Sequence, residues 1–464
     1  MAATGAVAAS TAPPLDLGVR LKLSVLMFLE FAIWGSWFVI FYPYLKGRGF
    51  TDAQAGALIG NVALGAVFST VFAGYVADRF FASEKMMAVL HLVGAALLYW
   101  MAQIQSPSQF WLLFAVSLAY SLLYNPTLAL ANSIAFTHIP DATRDFPSIR
   151  VLGTLGWIAV GFLIDFLFVH TQALPDGTVQ VLPASATNGP LLLAAGLSLV
   201  LAVYSLFLPH TPPPADKEGD VVPFVKALGL FGNFSFAVFF VVSFIITIVL
   251  AFYYTAASNF LENAAGVKFT GSTMLIGQIA ELVLLPLLPI FLWRLGMKWV
   301  LALGMLCWGI RYALFAYGGP AGLPFALVIL GVALHGFCFD FFFAAGFIHV
   351  DNEAPRDIRA SGQALFSFLT YGLGMWIGSL FAGELLGRFT NTAGGPANAI
   401  TQSFSAQGMT PAGTPLGSIA QIVVALKIAG SQAFAVVDWH DFWLVPSVGV
   451  LISLVIFVLF FRMR

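Results

Sequence analysis

Charge is the scarcest commodity in this sequence. Asp, Glu, Lys and Arg make up only 9% of its 464 residues, where soluble domains carry about 25%. With 60% hydrophobic residues and a mean hydropathy of +0.92, this excludes a soluble globular or disordered chain and leaves a polytopic membrane protein. Cysteine is almost absent. Cys307 and Cys338 both fall in apolar runs, so neither a disulfide framework nor a metal site is expected. The net charge of −1 offers no hold for nucleic acid. No Walker-type phosphate loop, His-Glu-x-x-His pair or placeable Ser/His/Asp set is found. ATP hydrolysis and intramembrane catalysis are therefore not expected, and no cofactor is implied. Residues 1–18 lack a basic segment leading into an apolar one, and a disordered tail is expected there rather than a cleaved signal peptide.

What is present is a series of about twelve apolar runs, from residues 21–44 to 442–461, each near the roughly 20 residues that cross a bilayer as a helix. The longest polar break in the middle of the chain, His210-Thr-Pro-Pro-Pro-Ala-Asp-Lys-Glu-Gly-Asp220, has six runs on either side. The expected fold is an all-α polytopic membrane protein. Two six-helix halves, residues 19–209 and 227–464, are joined by a cytoplasmic linker at 210–226. That is the plan of a major facilitator transporter, whose substrate site lies at the bilayer midplane between the halves. With both termini inside, residues such as Arg20, Lys85, Lys217 and Arg462 gather at cytoplasmic ends, while only Lys46, Arg48, Lys268, Arg388 and Lys427 lie outside; this obeys the positive-inside rule. The stretch 389–438 reads as an outer-face insertion. Its apolar part, 419–437, is expected to form a short surface helix, either capping the outer vestibule or serving as an inert insertion.

Charges inside the runs mark candidate sites. Asp340 lies within the apolar run 323–350, among Phe337, Phe339, Phe341, Phe342 and Phe343. A carboxylate at mid-bilayer costs about 2.5–3.5 kcal/mol on insertion scales, so it faces a cavity or a partner. One helix face cannot hold all five rings, and most of them read as lipid-facing bulk. Arg150, Thr154 and Trp157 are spaced to share one helix face, as are Gln278 and Glu281. His335 lies one turn before Phe339. Tyr253, Tyr254 and Asn259 fall in the seventh run. Carboxylates and amides of this kind accept from substrate hydroxyls. Rings cover a flat or apolar substrate face, and an Arg donates to carbonyl oxygens. Arg150 reads equally as a site residue or as a side chain snorkelling near the cytoplasmic end. His335 reads as a core histidine or as a group titrating near neutral pH. Arg311 is expected to pair with a carboxylate. Glu30 serves either internal hydrogen bonding or coupling.

Gly74-Tyr-Val-Ala-Asp78-Arg79, after the second run, resembles the signature loop of the major facilitator superfamily, in which Asp78 and Arg79 are expected to serve an inner gate. Further stretches are similar to one branch of it, the bacterial nucleoside:proton symporters. They are Phe28-Leu-Glu-Phe-Ala-Ile-Trp34-Gly-Ser-Trp37, Tyr124-Asn-Pro-Thr127, Asp145-Phe-Pro-Ser-Ile-Arg150-Val-Leu-Gly-Thr154-Leu-Gly156, Gln278-Ile-Ala-Glu281, Arg311-Tyr-Ala-Leu-Phe-Ala-Tyr-Gly318, Phe339-Asp340-Phe-Phe and Ile358-Arg-Ala-Ser-Gly-Gln363. Their order holds over nearly the whole chain. The resemblance implies proton-coupled nucleoside uptake by a monomer in the bacterial inner membrane. It implies substrate roles for Arg150, Thr154, Gln278, Glu281, Phe339 and Asp340, all of which keep the family residue type. Other positions depart from the family. Trp157 stands where it has Phe, Ala251 and Tyr254 where it has Gln and Asn, and His335 where it has Tyr. A ribose-reading part is therefore expected to be retained and a base-reading part altered, with Trp157, Tyr254 and His335 in the latter. Glu281 and Asp340 are the candidates for proton coupling. The alternatives are a sugar or polyol symporter on the same fold, or a sensor that binds without transporting.

Overall fold

The computed structural model describes residues 13–80, 82–173, 178–212, 225–320, 322–355, 358–392 and 435–462, with some of their side chains left out. It is helical, as required where every backbone N–H and C=O must find a partner without water. The N-terminal half comprises α1 (Leu17–Trp37) with its continuation α2 (Phe41–Gly47), then α3 (Asp52–Phe80), α4 (Ser83–Gln103), α5 (Phe110–His138), α6 (Ala142–Phe168) and α7 (Gly189–Ser205). In the C-terminal half come α8 (Phe234–Asn263), α9 (Thr270–Leu284) and α10 (Leu288–Ala316). They are followed by α11 (Gly322–Ala333), α12 (His335–Phe339) and α13 (Ala345–Glu353), which share one span, then α14 (Arg359–Ser367), α15 (Met375–Arg388) and α16 (Trp439–Phe460).

Among the described residues, nine helical runs are long and apolar enough to cross a membrane, and two shorter ones, Asp52–Phe68 and Gly189–Ser205, accompany them. One long run, Thr270–Ala316, is two spans in succession, because Gly296 adopts φ +75° inside it and only glycine enters that region without strain. The total is the twelve that the sequence pattern predicts. The starts follow from local chemistry. Asp16 accepts from Val19 N–H at 2.9 Å. Thr51 and Gln54 exchange backbone and side-chain bonds at 3.0 and 3.2 Å as a capping box. Asn233 accepts from Ser235 N–H at 3.0 Å.

Small residues set how closely the spans approach. A Cβ on Gly156 would lie 2.1 Å from the Phe28 carbonyl oxygen, so α6 packs onto α1 only because that position is glycine. Between the halves, α6 packs on α9 and α3 on α15. Hydrogen bonds join the halves at the end of the bundle away from the termini. There Asp165 accepts from the N–H groups of Gly271 and Ser272 at 3.3 and 2.6 Å. Ser185 donates to Glu262 at 2.6 Å, and Thr390 donates to Asp52 at 3.3 Å. The bundle is thus sealed at this end.

Two antiparallel strand pairs decorate the sealed end: β1 (His170–Ala173) with β2 (Val179–Leu182), and β3 (Thr390–Thr392) with β4 (Ala435–Val437). The surface helix expected over 419–437 is corrected in its last part, since 435–437 form β4; the remainder lies outside the described residues. So do most of the 1–18 tail and of the 210–226 linker.

Candidate functional site

Three features of the C-terminal half converge within its spans. The first is Glu281, which shares a face of α9 with Gln278. Gly336 lets α12 sit against this face, because a Cβ there would lie 2.7 Å from the Ala280 carbonyl carbon. The second is His335, buried on α12. Arg311 of α10 lies 3.1 Å from His335 Nδ1 through Nη1, and a guanidinium can only donate. Nδ1 therefore accepts, and the ring is neutral with its proton on Nε2, which lies 4.0 Å from Glu281 Oε2. The imidazole is held between the rings of Tyr253 and Phe339, with centroids 5.5 and 5.7 Å away. The third is Asp340, buried, which opens a π-helical turn over Asp340–Ala344. Such turns recur at functional sites because they re-aim side chains. Asp340 interacts electrostatically with Glu281, and its Oδ2 has no partner.

The N-terminal half supplies the opposite wall. The Arg150 guanidinium rests on the Phe31 ring at 4.1 Å and interacts electrostatically with Glu281 across the interface between halves. Thr154 and Trp157 follow on the same face of α6. The Trp157 ring meets Trp34 edge-on at 5.4 Å. Tyr254 of α8 is half-buried, touches Phe38 of the other half at 5.8 Å and interacts with Glu281.

The nine predicted substrate positions are thus distributed over α6, α8, α9 and the α12 region, with Glu281 interacting across the set. Two predictions are corrected, the partner of Arg311 and the lipid-facing reading of most of the Phe rings around Asp340, since Phe341, Phe342 and Phe343 are fully buried. Arg311 pairs with no carboxylate among the described residues. It is fully buried and stacks over Tyr253 at 3.5 Å, so an aromatic face and a neutral imidazole hold it. His335 uses its Nδ1 lone pair for this bond and cannot become imidazolium while keeping it. The Asp78 and Arg79 side chains lie outside the described residues.

Reading the sequence missed Tyr371, in a second π-helical turn over Phe368–Gly374. It interacts with Glu281, Asp340 and Tyr254, and its ring lies 6.4 Å from Phe339. Trp34 appeared there only as part of a resemblance; in the structure it lines the aromatic wall. The polar atoms of the site are incompletely satisfied within the protein. Among the described residues, Gln278 Oε1, Asp340 Oδ2 and Trp34 Nε1 are buried without partners, and each such atom costs about 1–3 kcal/mol unless a ligand or water meets it. The arrangement offers ring faces, carboxylate and amide acceptors, and cationic and imidazole donors. Among the described residues it has no nucleophile–base pair, and it fits binding rather than bond breaking.

Comparison with known proteins agrees. Residues 17–464 match the family model for the nucleoside H+ symporter. The chain is 40% identical over 368 residues to YegT of Escherichia coli (strain K12), covering 79% of this chain and 84% of that protein. It is 31% identical over 392 residues to the xanthosine permease of the same organism, covering 81% and 89%. The crystal structure of the nucleoside transporter NupG superposes with a TM-score of 0.77 at 27% identity, covering 97% of this chain and all of that one. The chain therefore belongs to the nucleoside H+ symporter family, as an integral membrane, proton-coupled nucleoside permease of the major facilitator fold and not an enzyme.

Proposed function

We propose that this chain, as a monomer in the cytoplasmic membrane with both termini inside, takes up nucleosides between halves spanning 19–209 and 227–464. The excess of basic residues at the termini end supports this orientation and makes the sealed end the outer one. Gln278 and Glu281 accept from the ribose hydroxyls. Trp157, Tyr254 and Phe339 cover the base, while Arg150, Thr154 and the Nε2–H of His335 donate to its edge. Glu281 and Asp340 carry the proton, because they are interacting carboxylates beside the substrate, where a neutral form lowers the cost of rocking through an apolar interior. The observation that carries this reading is the electrostatic interaction of Arg150 with Glu281 across the halves, next to the acceptors of Gln278 and Asp340 that have no partner among the described residues.

Competition for uptake into proteoliposomes under an imposed pH gradient tests it. Ribonucleosides are expected to compete, 2′,3′-dideoxynucleosides poorly, and free bases and hexoses hardly at all. Equal competition by hexoses would overturn the ribose assignment in favour of a sugar or polyol symporter.

A further inference from the structure

A second titratable cluster lies wholly within the N-terminal half. Glu30 of α1 is 0% exposed and His91 of α4 is 2% exposed. Glu30 Oε2 lies 2.9 Å from His91 Nε2, and Oε1 lies 2.6 Å from the Thr127 hydroxyl of α5. On the far side of the imidazole, Nδ1 lies 3.2 Å from the Ser198 hydroxyl of α7.

Counting protons on this frame is informative. Ser198 has one hydroxyl proton and donates it to the His91 carbonyl at 2.9 Å. With that proton engaged, Nδ1 must itself be the donor to Ser198 Oγ. The 2.9 Å gap between Nε2 and Oε2 then holds one more proton, on nitrogen or on oxygen. If Ser198 instead turns its proton toward Nδ1, the imidazole is neutral with Nε2–H donating to a carboxylate. The cluster then holds one proton fewer. Thr127 provides the same freedom at the other end, because its oxygen is 2.6 Å from both Glu30 Oε1 and the Tyr124 carbonyl and its single proton can go to either. The same heavy-atom frame satisfies both protonation states, and only hydroxyl hydrogens rotate.

The cluster is wired to the aromatic wall. Tyr124 donates to the Glu30 carbonyl at 2.7 Å, and its ring meets Trp34 at 6.2 Å. Trp34 is one turn along α1 from Glu30 and abuts Trp157. The groups facing Glu30 are His91 from α4 and Thr127, Tyr120 and Tyr124 from α5, and the uncharged Ser198 from α7 faces His91. From α6 the nearest cation is Arg150, seated on the adjacent Phe31 and interacting with Tyr124.

We propose that Glu30 and His91 form a one-proton binding site in the N-terminal half, loaded and released during the transport cycle in addition to the carboxylates of the C-terminal half. Its link to the nucleoside rests on the site assignment above, whereas the pair itself does not. A proton added here removes one negative charge behind the Trp34–Trp157 wall. By linkage, whatever nucleoside affinity this changes is matched by an equal change in proton affinity.

Proteoliposomes containing a pH indicator read protons entering per nucleoside. In Glu30→Gln the ratio is expected to fall by one proton, while nucleoside counterflow, which needs no net proton movement, continues. An unchanged ratio would overturn the proposal and leave the pair a structural tie. Should Glu30→Gln fail to fold, protein with isotopically labelled glutamate carries the test by infrared difference spectroscopy between acid and alkaline buffer. A carboxyl or carboxylate band of a buried glutamate that changes between the two buffers and shifts in Thr127→Val supports the site, and its absence refutes it. Glu281→Gln and Asp340→Asn, assayed alongside, separate the two readings. If they keep the ratio and Glu30→Gln loses it, the C-terminal coupling assignment fails and this one stands; the reverse pattern overturns this one.

Discussion

Removing the Gln278 side chain isolates one substrate contact from the stability of the fold. Gln278 is half-buried on α9, and its Oε1 has no protein partner. Gln278→Ala therefore deletes no bond through that acceptor, and alanine is the better helix former. The folded protein is expected to melt at the same temperature or slightly higher. Binding is different, because the acceptor is proposed to meet a ribose hydroxyl. A neutral hydrogen bond contributes about 0.5–1.5 kcal/mol net, which at 1.4 kcal/mol per decade raises Kd about 2- to 12-fold. Equilibrium binding of a radiolabelled ribonucleoside to purified protein measures this. The matching 2′,3′-dideoxynucleoside closes a double-mutant cycle, in which wild type and variant should bind the analogue equally. Equal affinity of the two proteins for the ribonucleoside would refute the contact. The same loss for the dideoxy analogue would assign it to the base instead.

Other consequences follow from the same geometry. His335→Tyr replaces a neutral Nε2–H donor, whose tautomer Arg311 sets, by a hydroxyl that reaches further. It is expected to reorder purine and pyrimidine nucleosides in the competition panel, and an unchanged ranking would remove His335 from base reading. Glu281→Gln and Asp340→Asn keep shape but cannot titrate. At least one should abolish uphill uptake driven by a pH gradient while preserving exchange, and retention of concentrative uptake by both would place the coupling carboxylate elsewhere. Asp165→Ala removes two charge-assisted bonds from α9 backbone N–H groups, each worth about 1.5–3 kcal/mol when buried. It should shift the population about tenfold or more toward states open at this end, read as a longer spin-label distance between β1 and the start of α9; an unaltered distance distribution would show that packing alone seals the bundle.

Much of the fold was legible because a bilayer allows so few solutions. Spans must be long, apolar and internally hydrogen-bonded, so the run pattern alone located the spans. Even the break at Gly296 falls between two predicted runs. The candidate site was legible where one helix face holds adjacent partners, as with Gln278 and Glu281, or where a motif carried a resemblance. What remained illegible has long-range partners. The Arg311–His335 bond joins residues 24 apart in sequence, and Glu30–His91 joins residues 61 apart. From composition, Arg311 calls for a carboxylate; only packing shows an aromatic face and an imidazole taking that place.

The sequence by itself determined that this chain crosses a membrane about twelve times, which family it resembles and which polar residues are too costly to sit in lipid. These follow from transfer energies and helix periodicity, which are local properties. Only the tertiary structure decided that Arg150 and Glu281 interact from opposite halves, that Tyr371 joins Glu281 and Asp340, that His335 is held as a neutral donor and that one end is sealed. Each of these depends on how separate helices approach, which glycine contacts such as Gly156 against Phe28 and Gly336 against Ala280 permit but no single segment encodes.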